Sequence, residues 1–218
     1  DMQVDVCVVG AGIAGCSTAL HLAERGYKVV LLEAEQAGFG ASGRSGGQLI
    51  PGYACGQQKL TAQLGPEDAR RLWDFTLEGV DLVRERVRRH AIACDLAWGQ
   101  MHCAVKPRQR DELQEWHREF EEDYNYRSTR FMERAEVEGL LATSRYCAGL
   151  YDSAAGHCHP LKYALGLAAA AKAAGVRFHE DSRVTSIERG STVVVRTANG
   201  SVRAKQVALC ANVGLGEI

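Results

Sequence analysis

No run among the 218 residues is long and apolar enough for a membrane-spanning helix. No signal peptide is read at the start either: the apolar stretch Val6 to Val9 is cut off at once by glycine and reads as a strand. Net charge is also missing. The 26 Lys and Arg nearly cancel 27 Asp and Glu, leaving −1, which excludes the basic surface of a nucleic-acid-binding chain. The six arginines at Arg70, Arg71, Arg84, Arg86, Arg88 and Arg89 alternate with acids and read as the solvated face of a helix. Cysteine is plentiful, at eight, yet no C-x-x-C pair occurs, so neither a redox motif nor a zinc ribbon is expected. With no export signal the expected compartment is the cytoplasm, where thiols stay reduced. Cys7 and Cys16 read as small core hydrophobes. With 46% hydrophobic residues the composition is that of a globular chain holding one sizeable core or two small ones.

Glycine, by contrast, is abundant and ordered. Val4 to Val9 is apolar and β-branched apart from Asp5 and Cys7, as suits a strand buried on both faces of a parallel sheet. Gly10-Ala11-Gly12-Ile13-Ala14-Gly15 follows directly. Gly10 permits the tight turn, Gly12 lets backbone approach a pyrophosphate, and Gly15 lets the next helix lie close to the strand. That helix is expected from Ile13 to Arg25, with Gly26 ending it. Its N-terminal N–H groups and dipole favour phosphate. A second strand, Lys28 to Leu32, closes a βαβ unit, and Glu33 at its carboxyl end suits the hydroxyls of an adenosine ribose. This pattern serves NAD and FAD alike.

The segment after Glu33 separates the two. Gly38-Phe39-Gly40-Ala41-Ser42-Gly43-Arg44-Ser45-Gly46-Gly47-Gln48 leaves backbone N–H groups open and φ unrestricted, so it can wrap an anion or an extended cofactor. Here the chain resembles the FAD-dependent amine and amino-acid oxidases of the D-amino-acid oxidase superfamily, and within it the γ-glutamylputrescine oxidase branch. Gly156 to Val176 and Val207 to Asn212 carry the resemblance further. It implies an α/β fold: a Rossmann-like FAD-binding domain of the glutathione-reductase type, interleaved with part of an α+β substrate domain. The implied FAD contacts are Gly10, Gly12, Ile13, Ala14 and Gly15 in the loop, and Glu33 and Ala34 beyond it. Ala41, Ser42, Arg44, Ser45, Gly46, Gly47 and Gln48 follow, with Ser42, Arg44 and Ser45 as donors to the pyrophosphate and Arg44 to Gln48 passing beside the flavin ring. Val184 would hold the adenine half through its backbone, and Ala211 and Asn212 would lie near the pyrophosphate, where many relatives have glycine in place of Asn212. Relatives that bind flavin covalently carry histidine about where Arg44 stands, so non-covalent FAD is implied.

The resemblance divides the chain into a discontinuous FAD-binding domain, 1–55 and 156–218, around a partial substrate domain, 56–155. In the middle, helices are expected over Pro66 to His90, Pro107 to Tyr124 and Glu133 to Leu141, with a strand between Asp95 and Lys106. Trp73, Trp98, Trp116, Tyr124 and Tyr126 fit either a pocket lining or core packing, and packing is the stronger prior. His157 and His159 flank Cys158 but lack a second ligand pair, so a structural role beside the helix from Pro160 is favoured over a metal. Val176 to His179 is expected as the third parallel strand. Ser182 to Glu188, Thr192 to Thr197 and Ser201 to Ala204 should form an antiparallel set, with a separate strand over Val207 to Cys210.

The implied reaction is oxidation of an amine C–N bond with oxygen as acceptor; the expected partners are a small amine and oxygen, with no nucleic acid or membrane. No general base is identifiable. Family members run to roughly twice this length and the chain begins at Asp1, so an N-terminal fragment with incomplete catalysis is expected. A non-catalytic dinucleotide-binding module and an NAD-linked dehydrogenase are the alternatives.

Overall fold

The computed structural model describes residues 2–216. In chain order its elements are β1 (Met2–Val9), α1 (Ile13–Glu24), β2 (Val29–Leu32), β3 (Gln48–Leu49), α2 (Gln57–Leu64) and α3 (Pro66–Arg89). They continue with β4 (Ala97–Ala104), α4 (Pro107–Glu122), β5 (Thr129–Glu133), α5 (Arg134–Leu141), β6 (Ala148–His157) and α6 (Pro160–Ala173). The last strands are β7 (Arg177–His179), β8 (Val184–Glu188), β9 (Val193–Thr197) and β10 (Gly200–Leu209). The chain divides into two units: 1–46, 86–94 and 159–218 in the first, 47–85 and 95–158 in the second.

The first unit is built on a six-stranded sheet in the order β7-β2-β1-β10-β9-β8. β7, β2, β1 and β10 run parallel, and β8 and β9 continue the sheet antiparallel. The pairing aligns strand ends: Val9 stands opposite both Leu32 and Leu209, and Leu32 opposite His179. Four parallel strands therefore finish along one carboxyl edge. β10 is a single strand where two were expected. Its first residues pair with β9 while Val202 to Leu209 pair with β1, so the polar stretch Lys205-Gln206 never interrupts it.

Both faces of β1 are covered. Val4, Cys7 and Val9 share a core with Val30, Leu32, Val184, Val195, Val202 and Ala204. α1 and α6 pack on each other through small residues, burying Gly15, Cys16 and Ala19 from one and Ala164, Ala168 and Ala171 from the other. The segment 86–94 belongs to this unit for two physical reasons. Ile92 sits against Gly166 of α6, where a Cβ would overlap its side chain. Arg86 donates to Glu24 Oε2 of α1 at 2.6 Å. Arg86 is 6% exposed, so the expected solvated arginine face fails there: the end of α3 is a buried ion pair.

The second unit centres on β6. β4 runs antiparallel along it, while β3 and β5 pair with opposite ends of its length. The aromatic reading resolves residue by residue. Trp73 is fully buried, with Phe120, Tyr124 and Tyr126 around it at ring separations of 5.1, 5.0 and 5.4 Å. Trp98 is half-exposed beneath the Arg84 guanidinium, 4.1 Å from its ring centre. The buried Tyr126 hydroxyl donates to Asp152 at 2.8 Å. Asp152 also accepts from the N–H groups of Ala154 and Ala155, so its carboxylate helps to hold β6.

Candidate functional site

The carboxyl edge of the first unit gathers most of the residues singled out by sequence. Gly10 leaves β1 at φ +101°, and its N–H donates to the Leu32 carbonyl at 2.8 Å. A Cβ on Gly10 would stand 2.9 Å from the Cys210 carbonyl oxygen and 3.1 Å from the Ala211 Cα. The glycine loop and the turn after β10 thus touch backbone to backbone. A Cβ on Gly15 would fall on the Gly10 carbonyl oxygen, so only glycine lets α1 start beneath the loop. Gly12 caps α1 without a side chain, and the first turn holds no acid. Its Cβ would lie 2.7 Å from Ser42 Oγ, which accepts the Ile13 N–H at 3.0 Å. Ala14 is exposed in this first turn.

Glu33 follows β2 and turns its carboxylate back toward the loop. It accepts the Ala11 N–H at 2.6 Å and the Glu35 N–H at 3.0 Å. Its own backbone is fixed on both sides, by the His179 carbonyl and the Ser182 N–H. Ala34 is half-buried beside it. The strap 180–183 was not singled out in the sequence. Glu180 accepts the Ala37 N–H at 2.9 Å and Arg183 pairs with Glu35 at 2.7 Å, fastening the chain just before Val184. Val184 opens β8 with its side chain in the core. Only the Glu35–Arg183 charge pair could have signalled the strap, and such pairs are common on surfaces.

The glycine-rich segment divides. The Gly38 N–H donates to the Ala11 carbonyl at 3.0 Å, and Ala41–Arg44 form one 3-10 turn that sets Ser42 on the loop. Ala41 is exposed at its start. Arg44 lies against Phe39: its Nε donates to the Phe39 carbonyl at 2.8 Å and the guanidinium covers the Phe39 ring at 4.9 Å. Ser45 and Gly46 are exposed beyond it. Gly47 and Gln48 lie in the second unit, where Gln48 pairs with His157 and the Gly47 carbonyl accepts the Cys158 N–H. Asn212 has φ +46°, a left-handed backbone that glycine adopts freely and asparagine tolerates. His159 caps α6, its Nδ1 accepting the Lys162 N–H at 3.4 Å.

Electrostatically the loop is set for an anion. The positive end of the α1 dipole lies at Gly12, with no acid in the first turn and the Ser42 hydroxyl beside it, while the Ala11 and Ile13 N–H groups are taken by Glu33 and Ser42. Beneath, the Cys16 thiol donates to the Ala11 carbonyl, and burial, with Glu33 adding to it, pushes its pKa up to about 12. It stays neutral and adds no negative charge. Among the described residues no group of three His, Cys, Asp or Glu could hold a metal ion, and no helix is long and apolar enough to cross a membrane.

A parallel sheet, a glycine loop opening a helix and a carboxylate after the second strand define an α/β dinucleotide-binding protein. The chain belongs to the FAD dependent oxidoreductase family, whose model matches residues 5–218. It is 41% identical over 211 residues to a probable oxidoreductase, OrdL, of Haemophilus influenzae, covering 96% of this chain and 49% of that protein. It is 41% identical over 213 residues to the gamma-glutamylputrescine oxidoreductase of Escherichia coli, covering 98% and 50%. The chain therefore spans about half the length of the curated relatives it matches. Glycine oxidase from Geobacillus kaustophilus superposes with a TM-score of 0.77 at 23% identity, over 96% of this chain and 55% of that one. L-amino acid deaminase from Proteus myxofaciens gives 0.79 at 25%, over 96% and 46%.

Proposed function

We propose that this chain forms the FAD-binding domain and part of the substrate domain of an oxidase that acts on an amine C–N bond, with γ-glutamylputrescine or a close analogue as substrate. The observation that carries the reading is the convergence of the Gly10–Gly15 loop, Ser42 and Glu33 on one sheet edge. The E. coli relative's name supplies the substrate class. In net terms, amine, oxygen and water become aldehyde, ammonia and hydrogen peroxide. Bound FAD supplies the two-electron chemistry.

The protein's part is binding and orientation. The N–H groups of Gly12, Ala14 and Gly15 and the Ser42 hydroxyl, which itself accepts the Ile13 N–H, take the pyrophosphate. Glu33, with Ala34 beside it, takes the ribose hydroxyls through lone pairs not used by Ala11 and Glu35. The Val184 backbone takes the adenine, and Ala211 and Asn212 close the phosphate side. Arg44 reaches the cofactor only by releasing Phe39. Each of the eight cysteines carries a thiol rather than a disulfide, in keeping with a reducing, cytoplasmic setting and a step in putrescine catabolism.

Purified protein is mixed with FAD, freed of excess and scanned for flavin absorption, then supplied with γ-glutamylputrescine, putrescine or glycine while peroxide is followed. A full-length protein carrying this chain should retain flavin and release peroxide from γ-glutamylputrescine, whereas the 218-residue chain alone, about half the length of its curated relatives, should hold FAD weakly and release no peroxide. A full-length protein that retains no flavin rules the reading out.

A further inference from the structure

The second unit contains a cavity of about 370 Å³ lying wholly within it, in the range that holds a small organic molecule. Gln57, the first residue of α2, lines it and is 6% exposed, yet neither its amide nitrogen nor its amide oxygen has a partner. Trp73, fully buried on α3, also lines it, and its indole N–H is unpartnered too. Buried polar groups are almost always satisfied, so a carboxamide with both donor and acceptor open calls for a ligand that completes it.

The shape of that carboxamide restricts the ligand. Its C=O and one of its N–H bonds lie side by side. Both are satisfied at once only by a ligand edge in the reverse order: a carbonyl that accepts from Nε2, and an N–H cis to it that donates to Oε1. A secondary amide in an open chain is trans and turns its N–H away from its carbonyl. A lactam ring holds the two groups cis, and a primary carboxamide always keeps one N–H on the carbonyl side.

The rest of the lining selects a neutral, flat body. No Lys or Arg is among the described lining residues, which disfavours a carboxylate or phosphate. The two acids in the lining do not call for a cation. Asp152 accepts from the Tyr126 hydroxyl and from the Ala154 and Ala155 N–H groups. Partial burial, then Asp123 and Glu115, raise the Glu119 pKa and favour its neutral form. Trp116 and Phe120 on α4 give aromatic walls that suit a ring.

We propose that this cavity is a binding site for a small neutral ring compound with a cis amide edge, a lactam or a ring-borne primary carboxamide. The edge pairs with Gln57, the second lone pair of the ligand carbonyl takes the Trp73 N–H, and the ring lies against Trp116 and Phe120. The ligand is held rather than transformed, so its binding is independent of the amine-oxidase reading.

Calorimetric titration of the full-length protein carrying this chain tests the site with four probes. 2-Pyridone and benzamide have the cis edge, N-methyl-2-pyridone has no N–H, and N-methylbenzamide has its N–H trans. A cis probe should bind about tenfold or more tighter than its methylated counterpart, the scale of one or two hydrogen bonds. A preference shown by 2-pyridone alone assigns the site to lactams, and by benzamide alone to primary carboxamides. In Gln57→Met, which keeps the length without the amide, the cis probes should fall to the level of the methylated ones, and those should bind as before. The same variant without ligand should melt no lower than the unaltered protein, because it removes an amide that the folded chain leaves unsatisfied. A Gln57→Met protein that misfolds or melts clearly lower would show Gln57 paired within the protein, and it overturns the proposal. Failure of both cis probes to bind, or a preference for them that survives in Gln57→Met, overturns it as well. Flavin content and peroxide release are measured separately, so the oxidase reading can fail while the cavity stands, and the reverse.

Discussion

Ser42 Oγ accepts the backbone N–H of Ile13 at 3.0 Å, 29 residues away in sequence. One hydroxyl thereby ties the glycine-rich segment to the first turn of α1 and satisfies a helix donor that Gly12 has no side chain to cap. Ser42→Ala should destabilise the protein by about 1 kcal/mol, the scale of a single neutral hydrogen bond, and weaken FAD binding further. Urea unfolding with and without FAD separates the two effects. Gly12→Val, which drives a branched side chain into Ser42, should abolish FAD retention while far-ultraviolet circular dichroism keeps its helical signal. Retained flavin in the folded variant would place the cofactor elsewhere.

Glu33 has two duties. Its carboxylate holds the loop through Ala11 and the chain beyond β2 through Glu35, and it is the proposed ribose acceptor. Glu33→Ala should weaken FAD binding by about 1–3 kcal/mol, as for hydrogen bonds to a charged group, and lower the melting temperature of the FAD-free protein as well. The absorption bands of any bound flavin should not move, because the change is at the ribose. Calorimetric titration and thermal scans of the FAD-free protein measure the two losses separately. Unaltered melting with weakened binding would assign Glu33 to the cofactor alone.

Gly15 has no room for any side chain, since a Cβ would overlap the Gly10 carbonyl oxygen. Both atoms belong to backbone that β1 and α1 hold in place, so neither yields cheaply. Gly15→Ala should cost about 3 kcal/mol, the upper part of the range for overpacking, a far larger penalty than at Gly26, where nothing lies within 4 Å of a Cβ. Gly26 sits at φ +87°, so Gly26→Ala still strains the backbone, by about 1 kcal/mol. Chemical denaturation of the two variants side by side checks the order.

The β1-loop-α1-β2 unit was legible because local chemistry and tertiary need agree there: β-branched strand residues, glycines where backbones touch, and a carboxylate at the edge. β6 was not legible. Its sequence, Ala148 to His157, is mostly small or polar residues, because its role is central pairing and a buried, hydrogen-bonded Asp152, not a hydrophobic stripe. α2 lacked an apolar period for the same kind of reason, its only buried residue being Gln57. The continuity of β10 was hidden by Lys205, whose ammonium pairs with Asp5 at 2.8 Å on the strand's exposed side. At the site, the loop, Glu33 and Ser42 were readable as a motif. The turning of Arg44 onto Phe39 was not, since it depends on which neighbour an exposed guanidinium finds in space.

Arg86 shows the same limit with a measurable consequence. Its charge looked like part of a solvated face, yet its side chain is 7% exposed and that of Glu24 17%. Burial alone would raise the Glu24 pKa, but the Arg86 hydrogen bond and charge, with Arg89 and His90, outweigh it and hold the carboxyl below its ordinary 4.5. A carboxylate depressed on folding stabilises the protein fully above its unfolded pKa and loses that contribution as pH falls through the folded one. The pair should therefore be intact at neutral pH and lose its effect only below about 4.5. Glu24→Gln removes the carboxylate charge that the buried Arg86 guanidinium meets at 2.6 Å and should cost about 3 kcal/mol at pH 7. The difference in stability between the two proteins should shrink as pH falls below that value, because a protonated Glu24 is as neutral as the glutamine that replaces it. Urea unfolding at pH 7 and at pH 3 checks both statements, and a difference that stays constant between them would show that the charge of Glu24 does not hold Arg86.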